Sequence, residues 1–484
     1  MIPSTVWAVA LAEVRSARRQ VRTWGFGALA VGVSFLFFVG SGAQHAQDGF
    51  VSPVSDFPAP RFIMSTVGMP LLLVFLFGVI FLAFDIRARD RAERMVEVLD
   101  CRPFSNVELL LGRVLGIVAT ACVPALVLIG LVQAFGTIGG ALGLPTEPVQ
   151  YASLATYLFV DALPMFLAWT AIVVLLAVVV RNRLLVGAAA LGLLVAWTLW
   201  SQSQSLYLSH LVGPTFFGNL VSDLVPSIAD PATVAHRLAL VVLAVGALFA
   251  AAGFHPRLDS GTRSARFGVS AAFVAVGAAA MAGLFIHARD AIETRDRWLA
   301  VHEAAATAVA ADIEHMAGTV RIDPGRRLAI DVVMRLAPTP GAGGELAMSF
   351  NPGLEVEEVA IDGEATNATH RDGLLKVAVP TGGGSYELAL RASGIPDPDF
   401  AYLDSAFDFA RDSSGRRNVT LNLGRDASIY DADYVALTPG VHWLPSPGAN
   451  IGRDDPGGIG RDYYTVDLTV EAPAGWLVAG PGRR

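Results

Sequence analysis

The sequence predicts an α-helical polytopic membrane domain of about seven transmembrane helices, followed by an extracytoplasmic, all-β, sandwich-like domain. Three observations predict it: long apolar stretches confined to the first 288 residues, an arginine pattern with a constant side, and an apolar period that switches to two near residue 320. The chain is 53% apolar but only 16% charged, against about a quarter charged in soluble domains. The deficit is local. Residues 1–288 hold 17 arginines against 14 acidic residues, a net of +3, whereas residues 289–484 hold 17 arginines and one lysine against 29 acidic residues, a net of −11. A step that sharp marks a domain boundary near residue 289.

A span needs about 20 mainly apolar residues, each rising about 1.5 Å across about 30 Å of hydrocarbon. Seven segments qualify: 24–41, 63–84, 114–136, 156–180, 184–200, 237–254 and 268–288. The first long apolar run has no small-residue cleavage site and is followed by further spans, so it reads as a helix and not as a leader. Fifteen arginines fall on one predicted side: Arg15, Arg18, Arg19 and Arg22 before the first span; Arg87, Arg89, Arg91, Arg94, Arg102 and Arg113 between the second and third; Arg181 and Arg183 after the fourth; Arg257, Arg263 and Arg266 before the seventh. The opposite loops offer Arg61, with Arg237 at a boundary. The positive-inside rule then places the N-terminus in the cytoplasm and residues 289–484 outside, in a bacterial plasma membrane. Asp161, near the outer end of the fourth span, is expected at the headgroups, because residues 162–180 still make a sufficient span without it, with a role in transport as the alternative; His287, which ends the seventh span, is expected at the interface too.

Residues 1–23 precede the first span. Trp7, Val14 and Val21 recur at seven-residue spacing beside arginines, which fits an amphipathic helix on the inner membrane surface or a plain basic flank. Between the second and third spans, Met95, Val96 and Leu99 share one helical face and Arg87, Asp90, Arg91 and Arg94 another. Pro103 ends that helix, and Ser105 with Glu108 reads as a capping box for the next. A two-sided helix there suits a cytoplasmic partner; a solvated loop is the alternative. Residues 201–236 hold two apolar stretches too short to cross, divided by Gly213-Pro214, as in a re-entrant or interfacial pair.

This order of features resembles the permease subunits of type-2 ATP-binding-cassette exporters over residues 1–256, with 24–256 as the six-span domain. The segment EVLDCRPFSNVELLLGRVLG is similar to that family's second-loop pattern at Arg102-Pro103, Ser105 and Gly112-Arg113. The resemblance implies a homodimer or heterodimer of permeases and a separate cytoplasmic ATPase that binds the ATP. It nominates residues 87–102 for docking that ATPase, with Arg87, Arg91, Arg94, Glu97, Leu99 and Arg102 as the candidates. Lys376, the only lysine, follows Leu375 and not a glycine, so this chain has no phosphate-cradling loop of the Gly-x-x-x-x-Gly-Lys type. No cofactor and no nucleic-acid partner is expected.

Residues 289–318 are alanine-rich, with Glu293 and Arg297 at helical spacing and Gly318 as a stop, and are expected to form a helical stalk. Residues 319–484 then read as strands. Leu328, Ile330, Val332, Met334 and Leu336 alternate with polar residues, as do Tyr386, Leu388 and Leu390; Val419, Leu421 and Leu423; and Tyr464, Val466, Leu468 and Val470. Asp362-Gly363, Asp372-Gly373 and Gly382-Gly383-Gly384 supply turns. Cys101 and Cys122 both precede this region, so it holds no disulfide framework.

The stretches SGIPDPDFAYLD, DYVALTPGVHWLPSPG and RDYYTVDLTVEAPAGWLVAGPGRR resemble the N-terminal sandwich of the aminopeptidase N (gluzincin) family, most firmly at Trp443-Leu444-Pro445 and Pro473-Ala474-Gly475-Trp476. They are more similar still to bacterial proteins that join such a region to a permease. That family's chemistry needs His-Glu-x-x-His and a later glutamate around zinc, with a Gly-x-Met-Glu-Asn stretch for the substrate amine. Here His302-Glu303 is followed by three alanines, and no metal or catalytic residue is assigned; His315, His370 and His442 are expected to be surface or packing residues. The expected function is therefore a permease subunit with a non-catalytic external domain. Two alternatives stand beside it: a membrane-anchored zinc aminopeptidase whose catalytic part lies beyond Arg484, and a membrane-anchored sensor or scaffold. In the family the polypeptide runs on past this point, so the sandwich is expected to be incomplete.

Overall fold

The computed structural model describes residues 3–49, 60–86, 89, 104–142, 148–149, 151–204, 208, 211, 231–257, 259, 261–337, 344–380, 385–401, 403, 429–449 and 464–480. The chain divides into two compact units, Met1–Ala288 and Arg289–Arg484.

The first unit is helical. Its helices are α1 (Pro3–Arg18), α2 (Val21–Gly49), α3 (Pro60–Ala83), α4 (Asn106–Ala141), the short α5 (Tyr151–Thr156) leading through a π-helical turn at Tyr157–Ala162 into α6 (Leu163–Val179), then α7 (Arg183–Gln202), α8 (Pro231–Phe254) and α9 (Arg263–Ala304). Among the described residues, six helical stretches are long and apolar enough to cross a membrane: Val21–Gly40, Asn106–Ala141, Leu154–Val179, Arg183–Ser201, Pro231–Phe254 and Arg263–Ala304; Leu71–Ala83 in α3 is a shorter apolar stretch. Helix α6 is apolar all round and accordingly central, with Met165, Phe166 and Trp169 fully enclosed. It packs on α3, α4, α7 and α8. Helix α4 opens on the expected capping box: the Glu108 N–H donates to Ser105 Oγ at 3.2 Å and the Ser105 N–H to Glu108 Oε2 at 2.8 Å.

Two expectations for this region change, and two others fall almost wholly outside the described residues. The face that α1 buries carries Val6, Ala10, Glu13 and Ala17, against α4, while Trp7 stays 65% exposed. Val21 belongs to α2, past the break at Arg19–Gln20, so the Trp7–Val14–Val21 row is not one face of one helix. The 89–102 helix, with its Asp90–Arg94 pair, and the two apolar stretches of 205–225 lie, except for Arg89, Leu208 and Leu211, outside the described residues.

The second unit begins inside α9, which runs without interruption to Ala304. A helical stalk to residue 318 is not what forms. Residues 313–323 are β1 (Ile313–Asp323), and Gly318, expected as a helix stop, sits within it opposite Val332 and Leu468. Local helix preference is overridden because Ile313, Met316 and Val320 reach the core, and β1 is paired on both sides. Glu293 pairs with Arg289 at 3.2 Å and not with Arg297, which reaches Asp372 at 3.0 Å.

The remaining strands are β2 (Arg327–Leu336), β3 (Glu345–Ser349), β4 (Leu354–Ile361), β5 (Glu364–Ala365), β6 (Ala368–Arg371), β7 (Leu374–Ala378), β8 (Tyr386–Gly394), β9 (Ile429–Tyr430), β10 (Val435–Ala436), β11 (Ser446–Pro447) and β12 (Thr465–Glu471). One sheet has the order β12-β1-β2-β8-β4-β5, a second β11-β3-β7-β6, and β9 pairs with β10. Neighbours are antiparallel except β1 and β12, which run parallel, so the region is mixed. Leu328, Ile330, Val332, Met334 and Leu336 of β2 and Leu346, Met348, Leu375 and Val377 of the second sheet enter one core, as in a sandwich. Both Asp-Gly turns form with positive φ at each residue, 49° and 85° at Asp362-Gly363 and 51° and 76° at Asp372-Gly373, the backbone of a type I′ hairpin. The expected strand at 419–423 and the 382–384 turn lie outside the described residues.

Candidate functional site

The docking candidates Arg87, Arg91, Arg94, Glu97, Leu99 and Arg102 all lie outside the described residues. Both flanks of that connector are described, and each is held by paired charge. On the α3 side, Arg22 clasps Asp85 with two hydrogen bonds, Nη1 to Oδ2 at 2.6 Å and Nη2 to Oδ1 at 3.0 Å, and lies 5.9 Å from the Phe84 ring. Arg89 donates to Glu13 of α1, and both side chains are nearly enclosed. Helix α1 can approach α4 this closely because α4 presents glycines. A Cβ at Gly112 would lie 2.7 Å from Val9 Cβ and 2.8 Å from the Val6 carbonyl; one at Gly116 would lie 2.6 Å from Glu13 Cβ.

On the α4 side, the Arg257 guanidinium donates to the Phe104 carbonyl at 2.6 Å and stacks 4.6 Å from its ring. Asn106 Nδ2 returns a bond to the Arg257 carbonyl at 2.9 Å, and the Asn106 N–H donates to Asp259 Oδ2 at 2.7 Å. Arg266 completes the network by donating to Asp259 and, at 3.2 Å, to the Ala252 carbonyl. Burial would raise the Asp259 carboxyl, but the bonds from Arg266 and Asn106 outweigh it and hold it below the ordinary carboxylate range. Arg257 and Arg266, which sequence reasoning counted only as topology signals, are thus buried structural groups. Asp259, between them in sequence, was the available clue.

The second cluster surrounds Asp161. That residue does not sit at an exposed end: it is 8% exposed, in the π-helical turn, with Arg237 of α8 at 2%. Arg237 Nη2 donates to Asp161 Oδ1 at 3.3 Å, while Nη1 lies 3.2 Å from Met165 Sδ and 3.3 Å from His236 Nδ1. Tyr157, His236 and Thr233 are buried alongside. A π turn widens the helix by an added residue and recurs at functional sites. Here it brings Tyr157 and Asp161 to the same neighbourhood as α8. Sequence reasoning treated Asp161 and Arg237 separately as boundary residues; their opposite charge within two adjacent apolar stretches was the signal that would have joined them. Enclosed charges of this kind persist only when paired, and they couple the two elements that carry them.

In the second unit, His442 is a packing residue, as expected, and His302 packs beside it. Both imidazoles face Phe400, with ring centroids 5.4 and 5.8 Å away, and Trp298 meets the same ring edge-on at 5.3 Å. His302 Nδ1 bonds the Trp298 carbonyl at 2.9 Å, and His442 Nδ1 lies 3.0 Å from Ser446 Oγ. Burial pushes the His302 imidazole down, and burial with the neighbouring His302 pushes His442 down to about 4. His370 bonds the Phe350 carbonyl at 3.0 Å and His315 the Thr465 hydroxyl at 2.7 Å. Among the described residues no three His, Cys, Asp or Glu side chains come together as a metal-binding group would require.

No protein-family model matches the chain, and no curated protein matches it. Solved structures do. An M1 zinc metallopeptidase from Deinococcus radiodurans is 18% identical over 18% of this chain and 21% of its own, with a TM-score of 0.16. Leukotriene A4 hydrolase from Saccharomyces cerevisiae is 16% identical over 17% of this chain and 15% of its own, with a TM-score of 0.15. The chain thus spans about a fifth or less of the length of the solved structures it matches.

Proposed function

We propose that this chain is the membrane-spanning permease subunit of an exporter driven by a separate ATP-binding-cassette ATPase. In this reading the helices of residues 21–288 cross a bacterial plasma membrane, the N-terminus is cytoplasmic, and residues 289–484 form an external, non-catalytic domain. The permease works as a homodimer or heterodimer, and ATP binds to the partner ATPase. Residues 87–102 dock that ATPase.

One observation carries the reading: two ion pairs, the half-buried Arg22–Asp85 and the nearly enclosed Arg89–Glu13, fall at the start of the 87–102 connector. A solvated surface loop has no need of such anchoring. A loop that must transmit force does, and Glu13 lies on the face of α1 that meets Gly116 of α4. Force applied to the connector therefore reaches α1 and α4, two elements of the apolar bundle. The arginine asymmetry and the six long apolar helices supply the rest of the support.

The test is purification of the full chain from a host that co-expresses a tagged candidate ATP-binding-cassette ATPase. Arg91→Glu with Arg94→Glu should abolish copurification and leave the bundle's thermal midpoint unchanged. Retained copurification with unchanged ATPase turnover would sink the docking role. A membrane-impermeant maleimide should modify an Arg91→Cys variant only from the cytoplasmic side, with Cys101 and Cys122 replaced; labelling from outside would reverse the topology.

A further inference from the structure

We infer that the end of α9 and the loop around Phe400 form an acid-sensitive latch, in which His302 and His442 hold the contact when neutral and release it when protonated. The inference stands apart from any transport role, because every group involved lies within residues 289–484.

The contact is a sealed one. Phe400 and His302 have no solvent exposure, and Trp298 and His442 have almost none. Helix α9 is fastened to the 395–403 segment by Arg295, whose Nη1 donates to the carbonyls of Asp399 and Ala401, both at 2.8 Å. It is fastened to the β6–β7 turn by Arg297, which reaches Asp372. The turn closes over the same aromatic ring. A Cβ on Gly373 would lie 2.2 Å from Phe400, so only glycine fits there, and its φ of 76° favours glycine independently. Three separate chain segments therefore converge on one phenyl ring, and two of them bring an imidazole to it.

Neutral imidazole suits such a place and imidazolium does not. The charged and titratable groups facing the cluster come from each packed element. Helix α9 contributes Arg295 and Arg297, with Glu303 exposed beside His302. The β6–β7 turn contributes Arg371 and Asp372, the latter already bonded to Arg297 at 3.0 Å and near Arg371 at 3.5 Å. The 395–403 segment contributes Asp397 and Asp399, and the 439–447 segment His442 itself. Asp397 accepts the Asp399 N–H at 3.0 Å, and burial raises its carboxyl. Protonation of the two histidines places positive charge in a closed space beside the buried Arg295, and that repulsion favours opening; the raised Asp397 carboxyl binds its proton more readily in the closed state and opposes opening in part.

Opening would expose the amides of 295–304 and 397–401 without unfolding the sheets, whose core does not include these rings. Hydrogen exchange on the full chain in detergent micelles, analysed as protection factors, reads this directly. Between about pH 7 and about pH 4.5, protection in those two segments should fall by at least about tenfold, while that of β2 and β8 stays level. His302→Gln with His442→Gln should hold the protection near its neutral value at the acid end, and His370→Gln should leave the wild-type transition in place. Unchanged protection in the wild type, or the same loss in the double glutamine variant, would overturn the latch. Should the double variant open already at neutral pH, the wild-type profile decides: loss confined to the two segments supports the latch, and loss shared by β2 and β8 rejects it.

Discussion

The Arg237 guanidinium of α8 meets the Asp161 carboxylate at 3.3 Å, and both groups are enclosed in the helical bundle. The bond is single and not forked, with Met165 sulfur and His236 filling the other side of the guanidinium. A pair like this contributes little net stability against an apolar substitute, yet removing one partner takes a charge-assisted bond from an enclosed charge. Asp161→Ala should therefore destabilise the bundle by about 3–5 kcal/mol. Asp161→Leu combined with Arg237→Leu should recover most of that loss. Thermal midpoints in detergent of Asp161→Leu, Arg237→Leu and the double variant give the cycle, and additivity of the two single variants would show that the pair is not coupled.

The packing of α1 on α4 rests on two absent side chains. Gly112→Ala and Gly116→Ala each place a methyl within 2.8 Å of a backbone carbonyl of α1, at Val6 and Ala10 respectively. A carbonyl in a helix cannot turn aside, so α1 must shift outward, at about 1–3 kcal/mol for each variant. Gly130→Ala on the same helix meets nothing within 4 Å and should be neutral or slightly stabilising. Comparable losses at all three positions would mean that glycine matters here for helix flexibility and not for close approach.

Charge order at the connector's edge can be tested by exchange. Glu13→Arg places two cations at an enclosed site and should cost about 3 kcal/mol; Arg89→Glu should do the same with two anions. The double exchange restores opposite charges in the same place and should regain most of the stability, together with the coupled ATPase turnover if the proposed partnership holds. Recovery of stability without turnover would separate an anchor from a transmitter.

Stability of the second unit should depend on pH with a definite sign. The His442 imidazole is depressed from 6.5 to about 4 in the folded state. Between those values the unfolded chain binds more protons than the folded one, so stability rises with pH through that window. The contribution is complete above about 6.5 and is lost as pH falls toward about 4, at most about 3 kcal/mol for this one group. Urea midpoints followed by near-ultraviolet circular dichroism should fall on acidification, and His442→Gln should flatten the slope. A midpoint that rises in acid would contradict the buried neutral imidazole.

Much of the architecture was legible because it depends on local pattern. The apolar helices announce themselves by length, β2 and β8 by strict alternation, α4 by Ser105 and Glu108, and the hairpins by Asp362-Gly363 and Asp372-Gly373. What was not legible depends on partners distant in sequence. Alanine-rich 305–318 reads as helix until β2 and β12 claim residues from Ile313 onward. Asp161 reads as a headgroup residue until Arg237, 76 positions later, is seen across from it. Trp7 dominates the periodicity of α1, yet small Ala10 and Ala17 mark its buried face, because α4 offers glycines there and no groove for an indole.

Asn351 shows the same dependence within the second unit and gives the sharpest test of it. This side chain is fully buried and joins three segments. Its Nδ2 donates to the carbonyls of Asp397 at 3.0 Å and Val441 at 2.9 Å, and its Oδ1 accepts the N–H groups of Gly353 at 2.9 Å and Asp397 at 2.7 Å. All four partners are backbone groups, and replacing the amide leaves them without it in a closed space. Asn351→Ala should cost about 3 kcal/mol or more, since each enclosed group left unmade carries its own desolvation penalty. Asn351→Asp separates geometry from chemistry: its shape is retained, but a carboxylate has no N–H for the Asp397 and Val441 carbonyls. It should therefore lose about as much near neutral pH and regain part of it in mild acid, where the protonated form donates once. If Asn351→Asp is instead as stable as the wild type near neutral pH, the two donated bonds contribute nothing, and the junction is held by packing around Phe400 and Val441 alone.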